Sequence, residues 1–313
     1  MILLVKRILK IPFEKLTPSG TSTLSPFNKP IATVKPGEEI EIETWDAFGG
    51  CVKDGQTRAQ AMEKGVKVPV NPITGPVYVD GAEPGDSLEV EILGIELPKS
   101  GATTISPGFG SLEGWFNLMT PRTRISEIKA GKVLYKTDNG RVIEIPTEPF
   151  IGTIGNSPVY EAINTLTPGP HGGNMDCPDI KPGNTLLLPV NQLGALFGLG
   201  DVHAVQGDGE VGGSAIEIPA IVKLRFEVKK GYAIAWPRIE SPEEIMTVCS
   251  AKPLEDAARL AYRELVNWMV SDHGWVRDDA YMFLSIAAKS RIAQIVDPLY
   301  TVVAKLPKKY LKL

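Results

Sequence analysis

The chain has 313 residues, 43% of them hydrophobic and 22% charged, with a formal net charge of −4. That length suits one large or two modest domains able to bury roughly 75% of the unfolded surface, and the composition is that of a globular protein. The small negative balance supplies no basic stripe for nucleic acid and no basic amphipathic helix for a membrane.

Glycine (31) and proline (26) are frequent and follow no short period, which fits a loop-rich, β-leaning enzyme rather than low-complexity disorder. The three cysteines, Cys51, Cys177 and Cys249, are too few and too scattered for a disulfide framework or a Cys-based zinc site. The opening Met1-Ile-Leu-Leu-Val-Lys-Arg7 is too short for the core of a signal peptide, with its basic residues on the wrong side. The apolar stretch Leu186 to Gly200 is broken by Pro189, Asn191 and Gln192 and cannot span a bilayer. A cytoplasmic protein is expected.

Residues 1–250 read as strand-rich. Glu39-Ile-Glu-Ile-Glu-Thr44 and Ser87-Leu-Glu-Val-Glu-Ile92 alternate apolar and polar residues, and each follows a Pro-Gly turn. The unit recurs at Val34-Lys-Pro-Gly37, Ala82-Glu-Pro-Gly-Asp86 and Ile180-Lys-Pro-Gly-Asn184, where Pro pre-sets φ and Gly accepts φ > 0. Such repetition is compatible with an internal duplication, or simply with a β protein's liking for Pro-Gly turns. Further strands are expected at Arg141–Ile145, Ser214–Ile218 and Ala220–Val228. Leu186-Leu-Leu-Pro-Val190 lacks alternation and reads as a strand buried on both faces, leading into a histidine-bearing loop.

The pattern changes after Ser241. Pro253 to Val270 carries a helical apolar stripe through Leu254, Ala257, Ala258, Ala261, Leu265, Trp268 and Met269. A second helix is expected from Asp278 to Ile295, ended by Asp297-Pro298, with Gly274 as the stop signal between the two. The tail from Leu306 reads as a solvated end with one or two anchoring side chains. The coarse expectation is a mainly β protein: a duplicated β-sandwich or barrel-like body over residues 1–250, with a C-terminal helical hairpin and tail over 251–313.

Nearly all the candidate chemistry lies between His171 and Glu210. Two of the three histidines occur there, in His171-Gly-Gly-Asn-Met-Asp176 and Asp201-Val-His203-Ala-Val-Gln-Gly-Asp208-Gly-Glu210. Imidazoles beside carboxylates suit a divalent metal or an acid/base pair, while Asp and Gly also simply make turns. If Asp201-Val-His203 is extended, both side chains share a face. Five residues separate His203 from Asp208, so a turn or bulge at Gly207 is needed to reunite the pairs. Glu43-Thr-Trp-Asp46 ends the first clear strand, and Asp46 is a further ligand or else the cap of the following turn. His273 reads as structural or exposed. Cys177 offers a thiol, but its spacing does not recommend it over a metal. No phosphate-binding loop, dinucleotide fingerprint or nucleophile elbow is present.

These residues resemble the acetamidase/formamidase family of short-chain amide hydrolases. The resemblance covers almost the whole chain: Glu43-Thr-Trp-Asp-Ala47, Asn71-Pro-Ile-Thr-Gly-Pro-Val-Tyr-Val79, Gly81-Ala-Glu-Pro-Gly-Asp86, Pro149-Phe-Ile-Gly152, His171 to Asp176, Gly200 to Glu210, Asp279-Ala-Tyr281 and Gln294-Ile-Val-Asp297. It implies a largely β architecture and hydrolysis of formamide or acetamide to the acid and ammonia. On our reading of the matched positions, His171 and His203 with Asp176 or Asp46 hold a divalent metal, zinc favoured, with calcium or another divalent ion as alternatives. An acid among Asp201, Asp208 and Glu210 moves the proton, and Asn174, Gln206 and the Gly172 and Gly173 amides bind the substrate. The expected partner is a small amide, without nucleic acid or membrane, and self-association is compatible with the strand edges. Two rivals stand beside this: metal-free acyl transfer through Cys177, and a non-enzymatic β-sandwich module with structural calcium.

Overall fold

The structure, a computed structural model, describes residues 9–12, 22–52, 60, 70–116 and 120–311; the opening heptapeptide weighed as a signal peptide lies outside them. The three Pro-Gly turns form as their sequences predict. Gly37, Gly85 and Gly183 take φ of 81°, 94° and 89°. In each turn the fourth amide donates to the first carbonyl: Glu38 to Lys35, Asp86 to Glu83 and Asn184 to Lys181, at 3.0–3.2 Å. They release the strands Glu39–Thr44, Ser87–Glu96 and Thr185–Pro189, and all three join one sheet.

That sheet has nine strands, in the order Leu9–Ile11, Glu39–Thr44, Ala220–Lys229, Ser87–Glu96, Thr185–Pro189, Arg238–Glu240, Glu244–Ala251, Tyr300–Pro307 and Lys289–Gln294. Thr185–Pro189 sits at its centre with four of five residues buried, as its unbroken apolar run predicts. A second, ten-stranded sheet runs Val142–Pro146, Lys132–Lys136, Arg122–Lys129, Ser100–Ile105, Glu217–Ile218, Phe197–His203, Phe150–Gly155 and Gly172–Asn174, and adds Ile73–Val79 beside Phe197–His203 and Ala32–Val34 beside Ile73–Val79. One core cluster joins the two sheets, with Ile40, Val90, Leu186 and Phe226 from one and Val77, Ile151, Phe197 and Leu199 from the other. Phe197 meets Phe226 edge-on at 5.0 Å. Burying each such ring contributes roughly 1.5–3 kcal/mol. The protein is mostly β, its sheets stay open rather than closing into a barrel, and the C-terminal helices form a hairpin.

Helix α1 spans Leu254–His273 and turns its buried Ala257, Ala261, Leu265, Trp268 and Met269 onto Cys249, Val302 and Ala304 of the nine-stranded sheet. Gly274, at φ 69°, ends it. Helix α2 spans only Arg277–Ala287, shorter than the 278–295 expected. Ala288 is already extended, and Lys289–Gln294 pairs antiparallel with Tyr300–Pro307 as the sheet's last strand. The sequence there tolerates helix; docking along an unpaired strand edge overrides that weak preference. The tail is anchored by Leu306 and Leu311, both buried, but its first part is strand rather than solvated end.

Candidate active site

Phe197–His203 is the strand that builds the site. It lies between Phe150–Gly155 on one edge and Ile73–Val79 and Glu217–Ile218 on the other, and all seven of its residues are buried. Its last residues, Asp201 and His203, share a face two positions apart, and their side chains touch: His203 Nε2 lies 3.2 Å from Asp201 Oδ1. His203 therefore sits at a strand end, not in a loop.

Around that nitrogen gather three carboxylates. Glu217 Oε2 is 3.0 Å away and Asp176 Oδ1 3.9 Å away, besides Asp201. Glu217 arrives from the neighbouring strand, where it pairs in register with His203. Asp176 follows Gly172–Asn174, which pairs with the far edge of Phe150–Gly155. Ligand atoms of Asp176, His203 and Glu210, and of Asp201, His203 and Glu217, each fall within 4.8 Å of one another.

Amides fix the acids in place. Asn174 Nδ2 donates to Asp176 Oδ2 at 2.6 Å and to Asp297 Oδ2 at 2.7 Å. Asn71 Nδ2 donates to Asp201 Oδ2 at 2.8 Å and to Asn174 Oδ1 at 3.2 Å, and Thr153 donates to both of those acceptors as well. Asn71, Asp176, Asp201 and Glu210 all adopt φ of 40–52°, four of the seven non-glycine residues with positive φ among the described residues. Such backbone costs on the order of 1–3 kcal/mol per residue and concentrates at functional sites. Gly152 leaves the room the acids need. A Cβ there would lie 2.5 Å from Asp176 Oδ1 and 3.0 Å from Asp201 Oδ2.

Burying this much charge splits the proton affinities. Burial works against a charged His203 ring, but Glu217 and Asp201 outweigh it and hold its pKa well above the ordinary imidazole value. Burial also opposes ionisation of Asp201; His203 and hydrogen-bond donors win, leaving it below the usual carboxylate range. Burial and Asp201 raise Asp176 to about 7. Burial lifts Glu217 to about 8 against the pull of His203. Burial and Asp176 push Glu210 and Asp297 well upward.

The cluster opens on a cavity of about 210 Å³, lined on its polar side by Asn71, Asn174, Asp201, Glu210, Glu217 and Asp297. Phe48, Phe109 and Leu166 give it an apolar wall. That volume suits a small molecule.

The structure thus brings Asp176, Asp201, His203 and Glu210 together, with Asn174 between the acids. It leaves three predicted site residues elsewhere. His171 is buried outside the cluster, its Nε2 without a hydrogen bond, and burial lowers its pKa to about 4. Asp46 accepts from Phe48 and Gly50 amides at 2.9 and 2.8 Å, so it caps the turn that carries Phe48, the alternative its sequence left open. Asp208 is 58% exposed and pairs with Arg291 at 2.9 Å. Among the expected substrate binders, Gly172 and Gly173 permit close backbone packing, with φ of 96° and 87°, and the Gly172 amide bonds Gly169 O at 3.1 Å. Gln206 touches His203 rather than the cavity. Cys177 is fully buried beside Asp179, and burial with that carboxylate pushes its thiol up to about 12, which removes the support for a thiolate nucleophile.

Four contributors escaped the sequence reading: Asn71, Thr153, Glu217 and Asp297. Glu217 had a signal, an acid inside the short apolar run Ser214-Ala-Ile-Glu-Ile218. Asp297 was visible only as part of a matched motif, since nothing local ties residue 297 to residue 174.

The fold and site together define a mostly β protein with a buried carboxylate–imidazole centre facing a small cavity. The family model of the acetamidase/formamidase family matches residues 24–163 and 159–312, and the chain belongs to that family. It is similar to the crystal structure of an acetamidase from Yersinia enterocolitica, at 37% identity and TM-score 0.90, covering 99% of this chain and 94% of that one. An acetamidase from Bacillus halodurans gives 37% identity and TM-score 0.87 over 96% and 98% of the two chains. The acetamidase of Mycolicibacterium smegmatis is 26% identical over 259 residues, 64% of this chain and 63% of that protein. The match thus spans less than two thirds of that relative's length. Among the described residues no helix is long and apolar enough to cross a membrane.

Proposed function

We propose that this protein hydrolyses the C–N bond of short linear amides, formamide and acetamide, to carboxylate and ammonia. The observation that carries the reading is a set of buried acids with divergent proton affinities around one imidazole, opening on a cavity of about 210 Å³. Family membership and the names of the similar proteins support the substrate class.

The donor set fits a divalent cation. The fully buried Asp176 Oδ1 takes part in no well-directed hydrogen bond, and with the His203 nitrogen and a Glu210 oxygen, all within 4.8 Å of one another, it makes the oxygen-and-nitrogen environment that zinc accepts. Asp176, His203 and Glu210 are the residues we assign to hold it. Such an ion supplies Lewis acidity, polarising a carbonyl and acidifying a bound water. Glu217, raised to about 8, is matched to general acid/base work near neutrality. Its carboxylate takes a proton from the attacking water and delivers it to the amide nitrogen as the C–N bond breaks. Asp201, held ionised by Asn71, Thr153 and His203, keeps the imidazole oriented. Phe48, Phe109 and Leu166 limit the acyl group to one or two carbons.

Elemental analysis joined to an ammonia-release panel tests this. The protein should carry a divalent metal and release ammonia from formamide and acetamide faster than from butyramide, and chelation should abolish turnover. Full activity of metal-free protein would remove the metal role, and no turnover of any short amide would remove the hydrolase reading. Faster hydrolysis of butyramide would remove the small-pocket argument.

A further inference from the structure

Gln206 makes three hydrogen bonds, and together they determine which end of its amide faces which neighbour. Two backbone carbonyls, Asp176 O and Ala293 O, each lie 3.0 Å from one terminal atom of the side chain. A carbonyl can only accept, so that atom must be the NH₂ group, and both its hydrogens are committed. The remaining terminal atom is then the oxygen, 2.9 Å from His203 Nδ1. An amide oxygen cannot donate, so the hydrogen in this bond belongs to the ring.

We propose that Gln206 is a positioning residue that keeps one proton of His203 on Nδ1, leaving Nε2 as the atom at which the ring gives up its second proton or binds a cation. The opposite edge of the ring agrees. Nε2 faces Glu217, Asp201 and Asp176 at 3.0, 3.2 and 3.9 Å, all of them groups that favour a donor or a cation there. Phe150 packs against the imidazole in a T-shaped contact at 4.9 Å and 85°. The anchors of Gln206 add a second consequence. Asp176 supplies one carbonyl and a carboxylate of the cluster, while Ala293 belongs to the strand that leads to Asp297. One side chain therefore sets the tautomer of His203 and ties two of the acid-bearing segments to it. Partners that orient the far nitrogen of such a ring characteristically tune its basicity and its ligand strength.

The effect on turnover rests on the hydrolase reading, but the tautomer does not, so the two can fail separately. The chain holds only three histidines, which makes ¹⁵N-histidine NMR of the intact protein readable, with His203→Asn used to assign the ring. The expected spectrum has His203 Nδ1 of the protonated type, and it keeps that character when alkaline pH or an added divalent cation removes the proton from Nε2. Gln206→Met, of similar length and without acceptor or donors, should mix the tautomers and lower kcat on acetamide by about 10–100-fold with a smaller change in KM. Gln206→Glu retains the acceptor facing Nδ1 and should keep the Nδ1–H tautomer, while its second oxygen loses the two bonds to the Asp176 and Ala293 carbonyls. A wild-type His203 with an unprotonated Nδ1 would overturn the proposal, as would a Gln206→Met protein with unchanged tautomer and kcat. Should Gln206→Met fail to fold, the wild-type spectrum under conditions where Nε2 has lost its proton decides, an unprotonated Nδ1 there overturning the proposal.

Discussion

At the scale of single residues, the two acids that look alike in sequence, Asp208 and Glu217, separate completely in space. Glu217→Gln should lower kcat/KM on acetamide by about 10²–10⁴-fold, the range for losing a general acid/base, with the fold intact by circular dichroism. Asp208→Asn should leave turnover unchanged and cost at most about 1 kcal/mol, because its bond to Arg291 is largely solvated. Gly152→Ala tests the space between the acids. A methyl placed 2.5 Å from Asp176 Oδ1 must displace a carboxylate, and a shift of that order costs about 10²-fold in rate. Retention of wild-type kcat/KM would show that the acids can move without harm. The dense His-Asp stretches pointed to Asp176, Asp201, His203 and Glu210, and the buried cluster draws on both stretches. They also pointed to His171, Asp46 and Asp208, since a turn cap, a buried ring and a surface acid carry the same letters as a ligand. Burial sets Asp208 apart, but His171 and Asp46 are as buried as the cluster acids, and only the neighbours that tertiary folding brings to each side chain separate them.

At the scale of elements, the strand Lys289–Gln294 is the instructive one. Read alone it continues a helix; paired with Tyr300–Pro307 it is a strand, and it delivers Asp297 to Asn174. Its Gln294 organises the turn that follows. The side chain accepts from the Val296 and Asp297 amides at 3.0 and 3.1 Å and donates to Leu299 O and Thr301 Oγ1 at 2.7 and 3.0 Å. Gln294→Leu would leave several of these buried groups unpaired. The expected loss is roughly 1–3 kcal/mol for each group left without a partner, visible as a lower urea midpoint, together with weakened turnover as Asp297 shifts. An unchanged midpoint would mean that water replaces the side chain. The turn–strand units, by contrast, were readable from sequence because Pro-Gly geometry is local, and so was α1, whose stripe, acidic first turn and glycine stop act within one element.

For the whole molecule, the buried acids make stability a function of pH. Asp176 and Glu217 have folded pKa values of about 7 and about 8, raised above their unfolded values. Their contribution is present in full below the unfolded carboxylate pKa and is lost as pH rises through 7 and 8. His203, also raised, acts in the same direction. His171, lowered to about 4, destabilises only as pH falls below the ordinary imidazole value. From about pH 6.5 to about pH 8, therefore, chelated protein should melt at progressively lower temperature by calorimetry, and a divalent cation should stabilise most at the alkaline end. A flat or rising melting curve over that window would refute the assignment of protonated acids to the cluster.

The span of the site carries a consequence for synthesis. Asn71, Thr153, Asn174, Asp201 and Asp297 belong to one connected hydrogen-bond network, yet they are made in order over more than two hundred positions of the chain. A ribosome-bound chain that has emerged as far as Asp201 already holds acids whose counterparts do not yet exist. Nor can it complete the nine-stranded sheet, one edge of which, Tyr300–Pro307 with Lys289–Gln294, comes last. Folding dominated by such distant pairings is slow, and the half-made site is its most charged interior. The cell must keep this nascent chain from aggregating until its final strands emerge, so its yield should depend on chaperone supply more than its finished stability suggests.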